Sequence, residues 1–161
     1  MKIKIKPLKE KDLYFLNIVR NSSREFLHDT REFSLEETEK WFKALPKEKK
    51  YYLIYAVEKG KTPGMGFGYF RVEKFSKTCW QVGADLHKVY RGFGYAEKAY
   101  KKLFKKFPKI TCWTLEVLGT NIVAYTLYRK LGFEVNTDCK PTEVKRGRAL
   151  IPSIMMDKII K

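Results

Sequence analysis

The residues best suited to chemistry in this chain fall between positions 85 and 133. Arg91-Gly92-Phe93-Gly94-Tyr95-Ala96 sits where a β-like segment gives way to an amphipathic one. Glycine tolerates positive φ, so this pair allows several amide N–H groups to converge on one anion at a helix start. The run has no Walker lysine and no dinucleotide fingerprint, so it reads as a phosphate cradle of another kind. Further on, the spacing of Asn121, Ala124 and Tyr128 places all three on one helical face. A phenol with an ordinary pKa of about 10 can give a proton to a departing group. Glu116 lies in the β-like run Thr114-Leu115-Glu116-Val117 and is the first candidate for a base, with Asp85 and the Tyr90 phenol behind it. A glutamate on a buried strand is costly unless paired, so Glu116 should have a partner.

The surrounding pattern supplies the elements that must hold these groups. Ile3 and Ile5 alternate with lysines, as in a half-buried strand. Leu13, Leu16 and Val19 fit a short helix, and Ser34-Leu-Glu-Glu37 is a capping box opening another through Trp41, Phe42 and Leu45. Tyr51–Val57 and Gly66–Val72 read as strands separated by a turn over Gly60–Gly64, and Trp80–His87 as a strand running into the glycine turn. Tyr95, Ala96, Ala99, Tyr100, Leu103 and Phe107 recur at helical spacing, with lysines on the outward side. A strand over Cys112–Val117, a helix over Asn121–Leu131 and a terminal pair of strands around Phe133–Asn136 and Leu150–Met156 follow. Pro152 suggests an edge or a bulge in the last strand. This order predicts one α/β (α+β) domain over residues 1–161, a mixed sheet with helices on both faces.

Composition narrows the function classes. Apolar residues make up 44% and aromatics 15% of the 161 residues, enough for a packed core. No apolar run is long enough to span a bilayer, and charge at every second residue of the N-terminus is unlike a signal peptide, so a cytoplasmic protein without a membrane partner is expected. Three widely spaced cysteines and two histidines offer no metal-ligand spacing; no metal is expected, and buried reduced thiols are the reading of the cysteines. The net charge of +16 favours anionic ligands and disfavours polycations. Charge alone does not make a nucleic-acid partner, and Tyr51, Tyr52 and Tyr55 fit a buried strand better than a stacking platform. Oligomeric state, a homodimer included, stays open.

Two motifs carry a family resemblance. Arg91-Gly92-Phe93-Gly94-Tyr95-Ala96 resembles the Q/R-x-x-G-x-G/A cofactor loop of the GNAT family of N-acetyltransferases. Asn121, Ala124, Leu127, Tyr128, Lys130, Gly132 and Phe133 resemble its second signature, and a strand lies between the two. The resemblance implies a single-domain sheet of six to seven strands, splayed between the fourth and fifth and flanked by about four helices. It implies acetyl-CoA as cosubstrate and an amine as acceptor. Leu86, His87, the loop from Arg91 to Ala96 and Asn121 would then bind the cofactor, with an N–H near Leu86 aimed at the acetyl oxygen. Tyr128 would protonate the leaving thiolate. The Glu116–Tyr128 spacing is similar to the Glu–Tyr pair of bacterial ribosomal-protein alanine N-acetyltransferases. His87 reads as structural rather than catalytic, and Thr78 stands where a histone-type branch would carry a catalytic glutamate.

The resemblance also implies an acceptor pocket built by the first helix pair and the last strand pair. Arg24, Arg31 and Arg146 stand in those segments and are candidate clamps for phosphate or carboxylate. They favour an anionic acceptor such as a nucleotide-linked amino sugar. A protein N-terminus and a non-catalytic acyl-CoA sensor are the alternatives.

Overall fold

The computed structural model describes residues 2–57 and 64–161. The elements in chain order are β1 (Lys2–Pro7), α1 (Leu13–Ser23), α2 (Leu35–Lys43), β2 (Lys49–Val57), β3 (Gly66–Lys74), β4 (Cys79–Leu86), α3 (Tyr95–Lys106), β5 (Cys112–Leu118), α4 (Ile122–Lys130), β6 (Glu134–Val135), β7 (Thr142–Arg146) and β8 (Ala149–Ile159). The turn expected over Gly60–Gly64 lies, up to Pro63, outside the described residues.

The strands form one sheet in the order β1-β2-β3-β4-β5-β8-β6, with β7 also pairing β8. Every pairing is antiparallel except β4 with β5. That sheet has eight strands against the six to seven expected. The excess is β7, which continues the chain after the two-residue β6, and whose Thr142-Glu-Val-Lys-Arg146 carries too little apolar alternation to read as a strand. Pro152 does not mark an edge, because β8 lies between β5 and the β6 and β7 strands. Its carbonyl accepts from the Gly119 N–H at 2.7 Å, so its missing donor faces the point where β5 has just ended.

The two sheet faces have different cores. Alternation along β3, β4 and β5 sends Phe70, Val72, Trp80, Val82, Trp113, Leu115 and Val117 to one face, where they pack with Tyr100 and Leu103 of α3 and Tyr128 of α4. On the other face α1 contributes Leu13, Leu16 and Val19 against Leu53 and Tyr69. Helix α2 begins on the expected capping box: Ser34 Oγ accepts from the Glu37 N–H at 3.1 Å and the Glu37 carboxylate from the Ser34 N–H at 2.8 Å.

β4 and β5 pair only at Cys79–Cys112, Trp80–Trp113 and Gln81–Thr114. Beyond that the two strands part, at the fourth and fifth strands as expected. Cys79 and Cys112 open the two strands in register and are joined by a disulfide, with Cα atoms 4.4 Å apart. This corrects the expectation of reduced thiols, and Cys139 is exposed rather than buried. A separation of 33 residues conceals a pairing that the β4-α3-β5 crossover creates. Among the described residues no helix is long and apolar enough to cross a membrane.

Candidate active site

The parting of β4 and β5 leaves backbone donors without a strand to meet. His87 N–H donates to the Phe67 carbonyl at 2.8 Å, and the β3–β4 register runs unbroken from Gly68–Leu86 to Lys74–Trp80. Residues of an antiparallel strand alternate in the side to which they bond. The odd residues of β4 therefore face β3, and the amides of Ala84 and Leu86 face the gap toward β5.

The loop after β4 turns on Gly92 (φ +83°) and Gly94 (φ +71°), left-handed conformations that favour glycine. A Cβ at either would meet no described atom within 4 Å. Gly94 is the N-cap of α3 and no side chain caps that end, so the first amides of the helix point outward at its positive pole. Uncapped amides beside open space suit the diphosphate of a coenzyme A ester. Phe93 is exposed and stacks on Tyr95, with ring centroids 5.7 Å apart, while Tyr95 and Ala96 pack on the core. The Arg91 side chain turns away from the cradle. It donates to the Leu86 carbonyl at 3.0 Å and to Ser23 Oγ at 2.8 Å, so only its backbone is available to an anion. Among the described residues the Nδ1 of half-buried His87 has no hydrogen-bond partner.

A cleft of about 620 Å³ opens where the strands part, reaching α4 on one side and α1 on the other. Tyr128, Asn121 and Glu116 all line it. The Tyr128 side chain is buried, and burial raises its phenol above the ordinary value. Tyr100 donates to the Tyr128 hydroxyl at 3.5 Å, which leaves the Tyr128 proton free to point into the cleft. Asn121 caps α4 by accepting from the Ala124 N–H at 3.2 Å through Oδ1, and its amide NH₂ remains available.

Glu116 is not the buried carboxylate that its strand suggested, since its side chain is 34% exposed. It does have partners. Ser153 Oγ donates to Oε2 at 3.1 Å, and His28 Nε2 stands 3.6 Å from the same oxygen and 3.3 Å from Ser153 Oγ. Neither residue was singled out in the sequence, because a loop histidine and a β8 serine carry no pattern that points to Glu116. Asp85 also lines the cleft, with its pKa raised by burial. Tyr90 lies outside the lining and stacks on Phe67, centroids 4.8 Å apart.

Arg24, Arg31 and Arg146 are placed differently from these groups. Arg24 pairs with Glu32 at 2.9 Å on the surface. Arg31 holds Asp29 in a fork, at 3.1 Å from Nε and 2.7 Å from Nη2, and those bonds lower the Asp29 pKa to about 2. Arg146 donates to the carbonyls of Leu27 and His28. None of the three lines the cleft; its arginines are Arg20 and Arg71. Among the described residues no group of His, Cys, Asp and Glu side chains is arranged to hold a metal ion.

A family model of the acetyltransferase (GNAT) domain matches residues 2–134. The chain belongs to the GNAT acetyltransferase family. Similar solved structures include spermidine N-acetyltransferase from Vibrio cholerae in complex with CoA and spermine, 14% identical over 98% of this chain and 95% of that one, with a TM-score of 0.82. A GNAT superfamily phosphinothricin acetyltransferase from Sinorhizobium meliloti, in complex with AcCoA, is 14% identical over 99% of this chain and 89% of that one, TM-score 0.78. Ribosomal-protein-alanine N-acetyltransferase from Brucella melitensis is 18% identical over 98% and 99%, TM-score 0.75. At these identities the GNAT likeness is one of fold. Comparison of the sequence with the curated proteins gives no match.

Proposed function

We propose that this GNAT domain transfers the acetyl group of acetyl-CoA directly to a primary amine bound between Glu116 and Tyr128. The observation that carries the reading is the meeting of a carboxylate, a protonated phenol and strand amides in one cleft beside an uncapped helix start. The amides of the Arg91–Ala96 loop hold the diphosphate, and the Asn121 amide group contacts the arm that follows it. The Leu86 N–H, facing the gap, stabilises the thioester oxygen as negative charge gathers there.

An amine is mostly ammonium at neutral pH and must lose a proton before it attacks. Glu116, which accepts from Ser153 Oγ and stands 3.6 Å from His28 Nε2, takes that proton. The amine nitrogen bonds to the acetyl carbon, the carbon–sulfur bond breaks, and Tyr128 donates its proton to the departing sulfur. Asp85 is less suited to the base role, because its raised pKa reflects an environment that disfavours its charged form.

The acceptor is read as a small molecule that bears negative charge beside its amine. A nucleotide-linked amino sugar draws little support from Arg24, Arg31 and Arg146, whose guanidiniums are engaged within the chain. The test is thiol release from acetyl-CoA with a panel of amino acids, amino sugar phosphates, polyamines and short peptides. Release that depends on one class of amine is expected. Tight CoA binding with no release from any amine would point to a sensor instead.

A further inference from the structure

The floor of the cleft departs from what a sheet covered by two helices needs. Beneath α1 and α2, β3 and β4 present Arg71, Glu73, Gln81, Gly83 and Asp85 to the cleft, where packing alone would ask for apolar side chains. Arg71 stands apart among them. Among the described residues it has neither a hydrogen bond nor an ion pair, whereas Arg20 donates to the carbonyls of Arg31 at 2.6 Å and Asp29 at 3.0 Å and stacks on Phe33. Arg71 pairs with Gly83 across the β3–β4 ladder. Its guanidinium lies over that glycine, with Nη2 3.4 Å and Nε 3.7 Å from where a Cβ would stand. The missing side chain lets the guanidinium lie toward the middle of the cleft.

Charge and distance then limit what Arg71 can receive. The lining holds four carboxylates, Asp29, Glu73, Asp85 and Glu116, against the guanidiniums of Arg20 and Arg71. Asp29 is held by Arg31, Glu73 stands 3.6 Å from Lys49, and burial disfavours the charged form of Asp85, so Glu116 and Arg71 remain as the two opposite charges facing a ligand, an arrangement that suits a cationic amine with one negative group. Gly83 and Glu116 each lie two residues beyond the last β4–β5 pair, so Arg71, Gly83 and Glu116 form a row across the sheet. Two strand spacings separate the outer backbones by roughly 10 Å before the splay is added. Their side chains close much of that span, leaving the length of a few bonds between an amine at Glu116 and an anion at Arg71.

We infer that Arg71 receives a carboxylate of the acceptor, so that the acceptor is an amine-bearing acid of amino-acid or dipeptide size. The planar fork of a guanidinium matches a carboxylate with two parallel hydrogen bonds, and a carboxamide cannot replace the charge. This inference rests on the acyl-transfer reading and adds to it the identity of the second recognised group.

The experiment compares free L-amino acids and dipeptides with their C-terminal carboxamides in the thiol-release assay. Charge-assisted bonds of this kind imply a kcat/KM ratio of acid to amide of roughly ten to 150 in the wild type. Arg71→Gln should bring that ratio to within about threefold of unity, by loss of the acid reaction alone, and Arg71→Lys should restore part of it. Gly83→Val, which pushes the guanidinium aside while keeping its charge, should also lower the ratio. The melting shift produced by CoA should be the same in wild type and Arg71→Gln. An amide used as well as its acid, an acid preference that survives Arg71→Gln, or no acid that is acetylated or raises the melting temperature in the presence of CoA overturns the inference. Thiol release with polyamines or blocked peptides in those cases leaves the acyl-transfer reading standing. A wild-type protein with neither a CoA-dependent melting shift nor thiol release overturns both.

Discussion

Tyr128→Phe isolates one hydroxyl. The ring keeps its contacts with Tyr100 and Phe133, whose centroids lie 5.8 and 5.9 Å away, so packing changes little. The Tyr100 hydroxyl loses its acceptor, but at 3.5 Å that bond is long. A penalty of about 1 kcal/mol follows, or a fall of roughly 2–4 °C in melting temperature for a chain of this size. The effect on rate should be larger. General acids contribute roughly 10²- to 10⁴-fold. Burial holds the Tyr128 phenol above its ordinary value, which already exceeds that of a thiol, so complete transfer to the sulfur is uphill. The proton is therefore shared with the sulfur as the bond breaks, and the loss in kcat should lie at the lower end, about 10²- to 10³-fold. Single-turnover thiol release measures that loss, and calorimetry with CoA measures affinity, which should change less than threefold. Turnover within threefold of wild type would remove Tyr128 from the donor role. A loss of CoA affinity matching the loss of rate would make it a positioning group.

Glu116→Gln should lower kcat/KM by roughly 10²-fold or more with CoA affinity retained, and a variant as active as wild type would move the base elsewhere in the cleft. Gly94→Val forces a β-branched residue toward φ +71°, where side chains cost about 1–2 kcal/mol, and places its branches over the helix amides. CoA affinity should drop more than tenfold while the chain still folds; unchanged affinity in calorimetry would contradict the cradle. Burial raises the phenols of Tyr51, to about 12, and of Tyr69, Tyr100 and Tyr128. Their neutral forms favour the folded state fully below about pH 10, and that contribution is lost as pH rises through the folded values. A tyrosinate absorbance titration should show these four, together with Tyr52, whose phenol burial also raises, lagging the others until the chain unfolds, and ten phenols titrating together near pH 10 in folded protein would refute it.

The loop and the helices were readable because their signals are local. Gly92 and Gly94 take the positive φ for which glycine is suited, and Ser34 and Glu37 close the box that their spacing suggests. Arg71 alternates with Phe70 and Val72 along β3, but a polar residue on such a face reads the same in sequence whether solvent or a cleft lies above it. Only the placement of α1 and α2 over that face distinguishes the two. The basic segments posed the converse difficulty. Their charges could be counted in the chain, but the partners that occupy Arg24, Arg31 and Arg146 could not. Cys79 and Cys112 were likewise too far apart in sequence for their register to be seen.

Arg91 has a consequence for how the two walls of the cleft behave together. One side chain reaches the Leu86 carbonyl at the end of β4, Ser22 and Ser23 at the end of α1, and the ring of Phe26 just beyond. It acts as a buckle between the glycine turn and the helix that roofs the opposite side. A glutamine, shorter and with fewer donors, could grip only part of that set. With arginine there, displacement of the turn drags the roof with it, so the two sides of the cleft shift as one body.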